Sequence, residues 1–136
     1  MGKSENLTEV RADIYTPLVD DRDSLIDRVI ESMKRIHDEE PEAAVVILAA
    51  IEHISGTYSD KYDSGKDEID TKKQLYGPAG AAINTYQIMR YLQRYNTVGH
   101  SKSGLVKDLM KGVHYFVFEL TRRFRNKRFL IEEPKV

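Results

Sequence analysis

The chain has 136 residues, 40% apolar and 32% charged, with a formal net charge of −1, the balance of a soluble globular protein. The absence of cysteine excludes a disulfide framework, a thiol nucleophile and any thiolate metal site. No apolar run approaches the roughly 18 residues of a membrane helix, and Met1 to Asn6 lacks the apolar stretch of a secretory signal. A cytoplasmic protein that does not engage the membrane is expected, folded as one domain over 1–136.

In chain order, Leu7, Val10 and Ile14 recur three and four apart and predict a short opening helix over Asn6–Tyr15, halted by Thr16-Pro17. Asp20 or Asp21 is placed to cap a second helix, whose inward stripe is Leu25, Ile26, Val29, Ile30, Met33 and Ile36. Pro41 suits the first turn of a third helix. The unbroken apolar run Ala43–Ile51 and its alanines predict that this helix, over Glu42–Ile54 and ended by Gly56, is the buried centre.

Residues 55–66 read as a long turn-rich connection, followed by a short polar helix over Asp67–Tyr76 that Gly77-Pro78 ends. A fifth helix over Ala79–Tyr95 is expected to face inward through Ala81, Ala82, Thr85, Ile88, Met89, Leu92 and Tyr95. After a loop over 96–104, the last helix over Leu105–Arg125 carries a broad stripe through Leu109, Val113, Phe116, Leu120 and Phe124. No segment alternates as a strand would. The prediction is all-α: a compact bundle of about four to six helices, three of them long.

Charge is segregated along the chain. Residues 1–60 carry 6 Lys or Arg against 14 Asp or Glu, whereas 61–136 carry 15 against 8. The stretch Tyr86–Arg128 holds ten cations and only two acids, Asp108 and Glu119. Such a block serves an anionic partner if it is exposed, and is silent if acids of the first half neutralise it.

Standard catalytic patterns are missing. Gly77-Pro78-Ala79-Gly80 has neither the lysine nor the preceding strand of a phosphate loop. His37, His53, His100 and His114 are scattered without metal-ligand spacing, and Asp60, Asp63, Asp67 and Asp70 miss the calcium-loop pattern. No metal and no cofactor are expected.

Arg94 and His100 could together stabilise a phosphorane and move a proton. Their spacing resembles the R-x(4–6)-H motif of HEPN-type ribonucleases, a resemblance confined to seven residues. It implies a small helical bundle, paired in a dimer, that cleaves RNA without metal. The sequence departs from that pattern in having Tyr95 directly after Arg94, where the family usually has a polar residue, and in Gly99, which points to a loop at His100.

The broader reading is of a non-catalytic binding protein. Arg90, Arg94, Lys107, Lys111, Arg122, Arg123, Arg125 and Arg128 would contact the phosphates of a nucleic acid or the carboxylates of an acidic protein. The alternative is a self-assembling structural or adaptor subunit. Phe116 and Phe118 lie on different sides of the last helix, so Phe118, with Tyr115, is the expected contact of a homo-oligomer.

Overall fold

Asp21 begins the first long helix as the sequence predicts, its carboxylate accepting from the Ser24 amide at 3.1 Å and from the Ser24 hydroxyl at 2.8 Å. The computed structural model describes residues 15–57, 71–97 and 104–126. The fold is all-α, with five helices among these residues, four of them 17–21 residues long. They are α1 (Arg22–Glu39), α2 (Pro41–Thr57), α3 (Thr71–Tyr76), α4 (Gly80–Asn96) and α5 (Leu105–Arg125). A 3-10 turn over Thr16–Val19, with Pro17 near its start, precedes α1. The expected opening helix over Asn6–Tyr15 lies outside the described residues, apart from Tyr15.

The chain divides into two compact units, one of residues 1–47 and 124–136, the other of residues 48–123. In the first, the 3-10 turn packs against α1, and the Arg28 guanidinium lies 5.4 Å from the centre of the Tyr15 ring. Leu25, Ile26, Val29 and Ile30 stay exposed. So do Val45 and Val46, at 65% and 58%, and Ala44 is the only buried residue of α2. The expectation of a buried central helix is therefore corrected. Apolar on every side, α2 has no polar face to set its orientation, and its composition alone does not bring a neighbour to it. It also continues through Gly56, because the Thr57 hydroxyl donates back to the carbonyls of His53 and Ile54.

The second unit has its interior between α3, α4 and α5. Phe118 is fully buried, with Leu75, Ile88, Tyr91 and Tyr115 around it and Tyr76 and Ile83 at the margin. Phe118 meets His114 in a stack at 4.4 Å and Tyr115 edge-on at 5.5 Å. His114 is also buried, and its Nδ1 lies 3.2 Å from the Thr57 hydroxyl.

Gly80 is required where α3 meets α4. A Cβ there would fall 1.9 Å from the Leu75 carbonyl oxygen, so only glycine allows the short helix to turn against the long one. At the start of α5, Gly104 takes φ +100°, and its carbonyl accepts the Asp108 amide at 3.0 Å.

The inward faces agree with those expected at Ile88 and otherwise differ. α4 buries Gly80, Asn84, Ile88 and Tyr91, while Met89, Leu92 and Tyr95 are exposed. α5 buries Asp108, Gly112, His114, Tyr115 and Phe118, and its aliphatic stripe faces outward. Tyr115 and Phe118 are accordingly interior residues and not the expected interface, whereas Phe116 is 52% exposed. Aromatic and polar groups that can stack and hydrogen-bond with α3 and α4 have taken the inner side.

Candidate functional site

Helical spacing places Arg90 and Arg94 one turn apart on α4, either side of Tyr91 in the sequence. Tyr91 points inward and stacks on Tyr115 at 5.9 Å, with an interplanar angle of 29°. Its outer surface carries three cations. The guanidinium carbons of Arg94 and Arg90 stand 5.5 and 5.9 Å from the ring centre, and the Lys111 ammonium of α5 stands 5.6 Å from it. Burial, followed by the neighbouring Tyr115, raises the Tyr91 phenol above its ordinary pKa of 10.0, so the ring remains neutral beneath the cations.

Arg90, Gln93, Arg94 and Thr97 line an open hollow of about 330 Å³ at the end of α4. Guanidinium, amide and hydroxyl groups together suit a phosphate or carboxylate. The α4 carbonyl end opposes an anion with about half a charge, which two guanidinium groups outweigh. Arg90 bonds the Gln87 side chain at 3.4 Å. Neither arginine has a carboxylate partner among the described residues, and nor does Lys107, exposed on α5 one turn before Lys111. Asp108, buried nearby, supplies the acidic charge that also acts on Tyr91.

The remaining expected contacts separate from this cluster. Arg122 is committed to Glu119 through Nη2 at 2.7 Å and Nε at 2.9 Å, and Asn84 donates to the same carboxylate at 3.1 Å. That bidentate pair makes Arg122 a structural cation, which corrects its place among the ligand-contacting residues. The Arg122 and Asn84 hydrogen bonds hold the Glu119 carboxyl below its ordinary value of 4.5, and they outweigh its partial burial. Arg123 is half-buried and adds to this effect. Arg125 is exposed but belongs to the other unit, and Arg128 lies outside the described residues.

His100 also lies outside them, so of the pair with ribonuclease-like spacing only Arg94 is described. Sequence reading overlooked Gln93 and Thr97 as lining groups; their one signal is that each lies within three residues of Arg94 on α4 or just after it. Among the described residues no three His, Asp or Glu side chains gather as a metal site would require. No described helix is long and apolar enough to cross a membrane. Comparison of the chain with protein-family models, with curated proteins and with solved structures finds no match.

Proposed function

We propose that the protein binds the phosphate backbone of a nucleic acid through Arg90, Arg94, Lys107 and Lys111. The observation that carries this reading is the convergence of Arg90, Arg94 and Lys111 over the one Tyr91 ring, beside the hollow that both arginines line. Cations grouped in this way neutralise phosphates without reading sequence, so binding would be tolerant of base identity and weakened by salt.

The test is fluorescence anisotropy with a labelled single-stranded oligonucleotide across a salt series. Four phosphate contacts give a slope of about −3 in log K against log salt, and Arg90→Ala with Arg94→Ala should lower its magnitude by about 1.4. Unchanged affinity and slope in the double variant would end the proposal, and equal competition by polyglutamate would reassign the site to an acidic protein.

A second reading is metal-independent RNA cleavage by Arg94 and His100, supported by the position of Arg94 in the wall of the hollow. It requires that the wild type cleave single-stranded RNA in the presence of a chelator and that His100→Ala abolish the cleavage.

A further inference from the structure

Tyr86 is 64% exposed on α4, and among the described residues neither its ring nor its hydroxyl takes a partner. At 100° per residue it lies about 140–160° around the helix from Asn84, Ile88 and Tyr91, which face the interior. Arg90 follows one turn later at about 40° from it, and Gln93 two turns later at about 20°. Both line the hollow, so Tyr86 stands on the face of α4 where that hollow opens. Tyr95 does not. Although it adjoins Arg94 in the sequence, it falls about 180° around the helix from Tyr86.

Given phosphate binding by Arg90 and Arg94, on which this depends, we infer that Tyr86 stacks on an unpaired base and that the bound nucleic acid is single-stranded. Cations neutralise the backbones of single and double strands alike, so the arginines alone make no such choice. In a duplex each base is covered by its neighbours, and freeing a face costs unstacking energy. In a single strand the face is open, and it meets an aromatic ring whatever the base.

The neighbours of the ring specify what covers it. A nucleic acid carries a flat aromatic group for every backbone charge, which an acidic peptide does not, and a tyrosine one turn from two arginines matches that pairing. The spacing fits as well. From Tyr86 to Arg90, and again from Arg90 to Arg94, the helix advances about 6 Å, a step comparable with that between successive phosphates of an extended strand. One base then lies on Tyr86 while the guanidinium groups hold the phosphates that follow.

Fluorescence anisotropy at one fixed salt concentration tests this with three labelled ligands: a single strand, the same backbone made abasic throughout, and a duplex of the same sequence. Tyr86→Ala should weaken the unmodified single strand at least about five-fold and change the other two by less than about two-fold. Tyr86→Phe and Tyr95→Ala should bind all three as wild type does, with the circular dichroism spectrum of each variant unchanged. The inference is overturned if Tyr86→Ala binds the single strand as wild type does, if it weakens all three ligands equally, or if Tyr95→Ala carries the base-dependent loss. The Arg90→Ala, Arg94→Ala protein keeps the two failures apart. Unchanged binding of the abasic strand by that protein defeats the phosphate reading itself, whereas weakened binding there together with a neutral Tyr86→Ala defeats base stacking alone.

Discussion

The Asn84 side-chain nitrogen donates both to the Leu75 carbonyl and to Glu119, each at 3.1 Å, and so ties α4 to α3 and α5 with one amide. Asn84 is fully buried, and its removal takes the side-chain donor from the Leu75 carbonyl and leaves Glu119 to Arg122 alone. Asn84→Ala should lower unfolding stability by about 2–3 kcal/mol, read from the midpoint of a urea transition. Asn84→Asp should cost more at neutral pH, since it places a second carboxylate beside Glu119.

Glu119 titrates below its ordinary value of 4.5 because Arg122 and Asn84 hydrogen-bond its charged form. A depressed folded-state pKa contributes stability above the unfolded value and loses it as pH falls through the folded one. The unfolding midpoint should therefore decline as pH drops below about 4.5, and Glu119→Gln should flatten that part of the profile. An equally steep decline in the variant would assign the effect to other carboxylates.

Arg122 and Arg94 should separate in function. Arg122→Ala is expected to cost about 1 kcal/mol of stability and to leave oligonucleotide affinity within about two-fold of wild type. Arg94→Ala should reverse this pattern, with binding weakened severalfold and the thermal midpoint held. Paired anisotropy and calorimetry on the two variants check it.

Two glycines offer the opposite contrast. Gly80→Ala sets a Cβ against the Leu75 carbonyl and should cost at least about 3 kcal/mol. Gly112 has nothing within 4 Å of an added Cβ, so Gly112→Ala should gain about 0.5–1 kcal/mol through helix propensity.

Tyr91→Phe keeps the ring and should bind like wild type. Tyr91→Leu removes the aromatic face under three cations and should weaken oligonucleotide binding severalfold, at about 0.5–1 kcal/mol for each exposed cation–π contact.

Helix positions were legible because they depend on local chemistry. The Asp21 cap, Pro41 at the start of α2 and the bounds of α5 could all be read from neighbouring residues. Inward faces, Ile88 apart, could not. Met89 and Leu92 are the more apolar choice on α4, yet Asn84 and Tyr91 are buried, since an Asn that satisfies a carbonyl and a Tyr that stacks on Tyr115 hold that side against its neighbours. The basic block was visible, but its division was not fully read. Glu119 lies three residues before Arg122, the spacing of an ion pair on one helix face, and this could have removed Arg122 from the binding set.

Arg90 and Arg94 already lie over the Tyr91 ring before any ligand arrives. Much of their rotamer freedom is surrendered when the chain folds, so capture of an anion adds little ordering penalty. Preorganisation of this kind lets a shallow, water-exposed recess discriminate by charge placement where it offers too little enclosure to discriminate by shape.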